Sequence, residues 1–381
     1  MLWIAVKKID PAIREFYGAD VKTQFDTWRN DIVVGQRKLD HGLEKAAAFA
    51  RQYVSASALT FNLMSAAMQP LGLSNSIARI GKRWVGKGIA IYLADPLQAT
   101  KDAQQKSEWL RNRTRTRFRE LNELRNQVQG QTAAKELMGR YGYWLMMRAQ
   151  LLVDIPSWHA GYEKAIAQGF DEDTAIALAD QGVKDSQGGG EEVDQSGIER
   201  GHAITKLFTA YYGFMGTTLN VAYGSTMTEK SKAKIAVNLL LTVSVPVVLG
   251  SLLRSALTPG DDDDENLGET LIREQIAFVM GLIVGGREFE GLAKDNHMGY
   301  SGPTGLRLIP DTFKLKDQFM QGDYDTAFRK RFVNVLGDIS GLPAVQINRT
   351  WDGIEALNRG DTSNPAAIGF GYKKPHRWSQ R

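Results

Sequence analysis

The 381-residue chain contains no cysteine. Disulfides, thiolate metal sites and cysteine nucleophiles are therefore excluded, and a metal site would have to rest on carboxylates and five scattered histidines. Runs of alternating apolar and polar residues bounded by turn pairs are scarce, which argues against sheets. No phosphate-binding loop, dinucleotide fingerprint, nucleophile elbow or His-Glu-x-x-His motif occurs. The triplet Gly188-Gly189-Gly190 follows no evident strand and leads into Glu191 and Glu192, the wrong sign for holding phosphate. Carboxylate pairs such as Glu191 and Glu192, or Glu288 and Glu290, are too common in the chain to indicate glycan cleavage. The expectation is a protein that is not an enzyme, with no catalytic residues, no metal and no cofactor. The start, Met1-Leu-Trp-Ile-Ala-Val-Lys-Lys, has too short an apolar run for a secretory signal.

Charge is also missing in places. Charged residues make up 24% of the chain, yet residues 52–78, 207–228, 235–253 and 275–286 contain none. Residues 235–253 are the strongest membrane candidate, since at about 1.5 Å per residue they reach roughly 28 Å against a hydrocarbon core of about 30 Å. Lys234 and Arg254 flank them, where they can snorkel to the interfaces. Leu239, Leu240, Leu241, Val245, Val247, Val248 and Leu252 supply the apolar surface, and Pro246 is expected to kink the helix. Asn238, Thr242, Ser244 and Ser251 make it less oily than a lipid-facing span, which suits a polar-lined assembly.

Residues 207–228 separate at helical spacing into two faces. Phe208, Tyr211, Tyr212, Met215, Leu219, Ala222 and Tyr223 form a large apolar one; Thr209, Gly213, Gly216, Asn220 and Gly224 form a small one that lets another helix approach. Residues 52–78, broken at Pro70 and Gly72, suit close helix packing, and residues 275–286 are too short to cross alone. The competing reading is that all four segments are core helices of a soluble bundle. A mean hydropathy of −0.30 argues against a constitutive multi-span membrane protein and favours a soluble form that inserts later.

What is present is mostly helix signal. Asp10-Pro11 and Asp95-Pro96 pair an N-cap with proline at the first helical position, and residues 96–129 contain no glycine and no further proline, predicting one long charged helix. Further starts are expected at Ser74, Asp171, Thr226 with Glu229 as a capping box, Asp323 and Pro343, with stops at Gly130, Gly169, Gly341 and Gly360. The fold class is all-α, long helices with irregular loops in a multi-subunit helical assembly. Four regions are expected: 1–95, helical; 96–155, the long charged helix and its successor; 156–300, with the insertable segments; and 301–381, helices and a basic tail.

The formal charge is only +4, so contact with nucleic acid would need local patches. Arg111, Arg113, Arg115, Arg117 and Arg119 recur at every second position, which on a helix makes a collar, and guanidinium groups suit phosphate. The alternative is a solvated helix balanced by Glu108, Glu120 and Glu123. In the tail, Lys373, Lys374, His376, Arg377 and Arg381 alternate with Phe370, Tyr372 and Trp378, a composition for stacking on bases, sitting among headgroups, or strapping to a partner subunit. The run Asp261 to Asp264 lacks the alternation of a calcium loop.

The stretch Trp158-His-Ala-Gly161-Tyr162, Ala165, Gly169, Ala175, Ala179-Asp180, Val183, Ser186-Gln187-Gly188, Asp194, Arg200-Gly201, Phe208-Thr209, Tyr212, Phe214, Thr217, Thr218 and Asn220 resembles a segment of known proteins. It is shared by the C-terminal parts of large internal virion (DNA-ejection) proteins of short-tailed phages and by phage polyvalent proteins. A weaker echo surrounds Asn62, Gln69 and Gly72. The resemblance implies storage in the capsid core, ejection ahead of the genome, and reassembly into a conduit through a Gram-negative envelope. Implied partners are copies of the chain, other phage ejection or core proteins, non-specifically bound double-stranded DNA and host membrane lipid. The lytic transglycosylase domain often found in the large ejection proteins is not evident, so wall cleavage is not carried over.

Overall fold

The structure, a computed structural model, describes residues 11–34, 42–116, 141–142, 144–190, 194–201, 206, 212–260, 267–283 and 308–373. Among them there is no strand, and the fold is all-α.

The helix order follows from caps and breakers. Residues 11–17 are helical and stop at Gly18, whose φ of 90° is in the left-handed region that suits glycine. Then come α1 (Ala19–Val34), α2 (Gly42–Leu59) and α3 (Leu63–Met68), the last capped by Asn62. Pro70 and Gly72 tighten the chain into a 3-10 turn, Gln69–Gly72, which runs into α4 (Leu73–Ile80). After α5 (Lys82–Ala94), Asp95 caps α6 (Pro96–Lys106) by accepting from the Gln98 amide at 2.9 Å.

The expected long helix is broken here. Ser107 is extended and its hydroxyl accepts from the Leu110 amide, so α7 (Glu108–Thr116) is a separate helix. The rest of the predicted helix lies outside the described residues.

Helix α8 (Trp144–Ala167) is the axis of the molecule, packed by α3, α4, α5, α6 and α9 (Glu172–Gln187). Asp171 caps α9 as expected, and Gly169 ends the turn before it. Leu151, Ile155, Trp158, Ala179, Val183, Ala99, Ala103 and Leu110 form one core cluster between α6, α7, α8 and α9. Close approach depends on small residues: a Cβ at Gly88 would overlap the Pro156 carbonyl, and one at Gly161 would press on the Ala179 backbone.

Helix α10 (Tyr212–Thr228) turns through three residues into α11 (Lys232–Leu257). The expected start at Thr226 is not used, because Thr226 stays in α10 and Ser231 caps the next helix. Pro246 follows a π turn, Leu240–Ser244, that absorbs the amide hydrogen bond proline cannot make, and the helix continues through it to Leu257. Then follow α12 (Leu267–Gly281), α13 (Leu308–Gln321), α14 (Thr326–Ser340, capped by Asp325 instead of Asp323), α15 (Ala344–Arg359) and α16 (Ala366–Phe370). Gly341 and Gly360 close α14 and α15 in the left-handed conformation.

The C-terminal helices return to the N-terminal ones. Arg349 donates to Asn62 at 2.6 Å, Gln346 accepts from the Leu63 amide, and α14 packs on α2 where Gly337 meets Ser57. Residues 52–78 are therefore packed within the chain, with Val54, Ala56, Ser57, Met64, Ala66 and Asn75 all buried.

Candidate functional site

Two arrangements stand out, a polar junction and a helical hairpin.

The junction is built from residues that carry the resemblance. Trp158, fully buried on α8, donates its indole N–H to Asp180 at 2.7 Å and stacks on Tyr162. Ser107 donates to the same carboxylate oxygen at 2.6 Å, so Asp180 pins the break between α6 and α7 to α9. Burial pushes the Asp180 carboxyl up from its ordinary range, against the lowering effect of those two donors, Lys184 and Arg113. Ser76, Ser157 and Ser186 join α4, α8 and α9, and Gln187 donates to Ser76 and to the Gly72 carbonyl. Asn75 donates to Thr218, fastening α10 to α4. The stretch around Gly72 and the stretch 158–220 are thus in direct contact.

Arg113 belongs to this junction and not to a nucleic-acid collar. It is 1% exposed and paired with Asp154 at 2.7 Å; it also donates to the Gly188 and Gly189 carbonyls and lies over the Trp109 ring. Gln150 supplies Asp154 with a further donor. This corrects the expectation for Arg113: a guanidinium buried at 1% exposure and bonded to Asp154 and two backbone carbonyls is not accessible to phosphate. Arg111 is exposed, beside Glu108 at 3.5 Å. Arg115 lies within α7, while Arg117 and Arg119 fall outside the described residues.

The hairpin is inside-out relative to a soluble core helix. In α11, Thr242 is fully buried and Ser251 and Pro246 are buried, whereas Val237, Leu240, Val248, Leu249 and Leu252 are exposed, Leu240 by 56%. Only 28% of the most apolar 18-residue stretch of α11 is buried. Asn238 donates inward to Ser225 on α10, and Thr242 returns its hydroxyl hydrogen to the Asn238 carbonyl. The Val243 carbonyl, within the π turn, accepts from Gln275 of α12. The neighbours repeat the pattern: Leu219, Tyr223 and Met227 of α10, and Ile272, Ile276, Val279 and Ile283 on and just after α12, are all exposed. Solvent-facing aliphatics over a polar seam have no advantage in water, where contiguous apolar patches mark an interaction surface.

Of the residues expected at this surface, Leu219, Leu240, Val248 and Leu252 are exposed; Met215, Leu239, Leu241 and Val245 are half-buried. Val247 points inward instead, at 7% exposure. Tyr212 opens α10, and Phe208 and Tyr211 lie outside the described residues. The two expected faces of α10 are also rearranged. Thr217, Thr218, Val221 and Ala222 are buried, while Gly224 faces open space. Asparagine and threonine at the neighbouring contact, not glycine size, select the inward face.

Sequence reasoning missed Asp154, Gln150 and Ser107. The signal for Ser107 was present, a serine followed by Glu108 in a first turn, but the absence of glycine and proline outweighed it. In the tail, Lys373 donates its amide to Pro259 and Tyr372 covers Gly260, so the described part straps the end of α11; positions beyond 373 lie outside the described residues.

No family model, curated protein or solved structure gives a significant match to the chain. Among the described residues no cluster of His, Asp and Glu is arranged to hold a metal ion.

Proposed function

We propose that this chain is a phage DNA-ejection (internal virion) protein. On this reading it is stored in the capsid core, and its copies form part of a trans-envelope conduit that delivers the genome into a Gram-negative host. The observation that carries the reading is α11, whose 26 residues are long enough to cross a bilayer and whose aliphatic face is exposed while its threonine and serine turn inward. At about 1.5 Å per residue it extends roughly 39 Å, enough for a hydrocarbon core of about 30 Å with both ends in the interfaces. In hydrocarbon this polarity is the stable one: lipid meets Leu240, Leu249 and Leu252, Asn238 bonds across to Ser225 of α10, and Thr242 satisfies its hydroxyl on the Asn238 carbonyl of its own helix. Partners under this reading are other copies, further ejection or core proteins, host lipid, and double-stranded DNA contacted by Arg111 and Arg115, with Arg117 and Arg119.

Flotation of the purified chain with anionic liposomes tests it. The chain should move to the light fraction; recovery entirely in the aqueous fraction would contradict the membrane role.

A second reading has one observation in its favour. The hairpin is already docked on the body of the molecule through Asn75 with Thr218, and through Gly250 against Leu71. This fits a soluble helical structural or interaction module of the virion or of a polyvalent protein. Such a module would not float.

A further inference from the structure

The turn between α10 and α11 is Glu229-Lys230-Ser231, followed at once by Lys232 and Lys234. All three lysines are exposed, and Lys234 pairs with Glu229 at 3.4 Å. The tip therefore carries three lysines against one glutamate, a net +2. The opposite end of α11 has Arg254, bound to Glu274 at 3.0 Å, and is followed in the chain by four aspartates and a glutamate at positions 261–265. A helix pair with an apolar outer face, a net +2 at its turn and a mutually paired Arg254 and Glu274 at its other end has a defined direction in an electric field.

The tip is also the free end of the hairpin. The contacts that hold it to the body lie away from the turn: Thr218 of α10 with Asn75 of α4, Gly250 against Leu71 and Met68, and Gln275 to the Val243 carbonyl. Between Thr226 and Lys234, the hydrogen bonds and ion pairs of the described residues are made within the hairpin itself. Nothing among the described residues anchors those lysines to another helix.

We infer that the α10–α11 hairpin enters a bilayer tip first and in one orientation. Lys230, Lys232 and Lys234 pass to the side at negative potential, and Arg254 with its partner Glu274 stays on the side of entry. This rests on the membrane reading above and adds direction and driving force to it. Ammonium groups on long stems can release their water late and regain it in the far interface, which favours lysine over shorter cations at such a tip. The membrane potential acts on the net charge carried across. Two charges crossing about 100 mV shift the inserted-to-uninserted ratio by roughly a thousandfold, so a response of about tenfold is well inside what the tip can deliver.

The chain has no cysteine, so single labels are unambiguous. Thr228→Cys reports the tip and Ser255→Cys the entry end; both positions are exposed. Each variant is mixed with vesicles of phosphatidylethanolamine and phosphatidylglycerol under a potassium diffusion potential that is inside-negative, zero or inside-positive. A membrane-impermeant maleimide is then added. Because the lipid is the same in all three arms, any difference belongs to the potential and not to headgroup charge. The expected result is protection of Thr228→Cys that rises about tenfold or more from zero to inside-negative potential, with Ser255→Cys labelled throughout. Changing Lys230, Lys232 and Lys234 to Gln in the Thr228→Cys chain should remove the rise while flotation persists. Protection of Ser255→Cys in place of Thr228→Cys, or protection indifferent to the potential in a chain that floats, overturns the orientation and leaves the membrane reading standing. A chain that does not float and is labelled at both positions overturns the two together.

Discussion

At the residue scale the most constrained group is the Arg113–Asp154 pair. Both side chains are almost wholly buried and every strong partner is in place: Gln150 on the carboxylate, and the Gly188 and Gly189 carbonyls on the guanidinium. Removing one member leaves the other as an uncompensated buried charge, so Arg113→Ala should cost about 3–5 kcal/mol. Urea denaturation followed by circular dichroism measures it, and a loss below about 1 kcal/mol would show that water reaches the pair. Asp180 gives a pH test. Its folded carboxyl is raised by burial, so between the unfolded and folded values the folded state binds more protons, and its contribution to stability falls as pH rises. Asp180→Asn keeps an acceptor for Ser107 and Trp158 without the charge. The stability of the parent chain relative to this variant should therefore decline as pH rises above the ordinary aspartate range; a difference that grows as pH rises would contradict the assignment.

At the scale of elements, α11 separates the two ways of reading a charge-free segment. Residues 52–78 and 235–253 are alike in lacking charge, but the first buries Val54, Ala56 and Met64 while the second exposes Leu240, Leu249 and Leu252. Composition cannot distinguish them, because the difference lies in which face the neighbours cover. Leu249→Asp is the corresponding substitution. Leu249 is 47% exposed, so the fold in water should be unaffected, whereas an aspartate near the middle of a spanning helix costs about 2.5–3.5 kcal/mol. Binding to liposomes should fall by about a hundredfold with the circular dichroism spectrum unchanged; equal binding would remove α11 from the bilayer. The arginine-rich helix needs a different test from a full five-arginine replacement, since Arg113 is structural. Arg111, Arg115, Arg117 and Arg119 changed together to Gln should flatten the dependence of DNA affinity on salt by about 0.9 for each phosphate no longer neutralised. An unchanged slope in filter binding would make these arginines a solvated face only.

Over the whole molecule, the all-α class and many helix ends were legible because they depend on local chemistry. Asp95 before Pro96, Asp171 before Thr174, and Gly341 and Gly360 at C-termini each act within a few residues. Elements whose ends depend on distant partners were not legible. Ser107 ends α6 because Asp180, far along the chain, takes its hydroxyl, and the inward face of α10 is chosen by Asn75 on α4. For the candidate surface, the apolar residues could be named from periodicity, but Val247 turns inward because the π turn before Pro246 rotates the second half of α11 relative to the first. The proposed conduit depends on that rotated helix presenting Leu240 and Leu249 to lipid while Thr242 and Ser251 face protein.

Single cysteines at Leu240, Thr242, Leu249 and Ser251, each carrying a small fluorophore, test this most directly in vesicles containing lipids with nitroxide-labelled acyl chains. Strong quenching at Leu240 and Leu249 with weak quenching at Thr242 and Ser251 is the expected result; uniform quenching by aqueous iodide, with none from the acyl chains, would place the helix in water and contradict a membrane conduit.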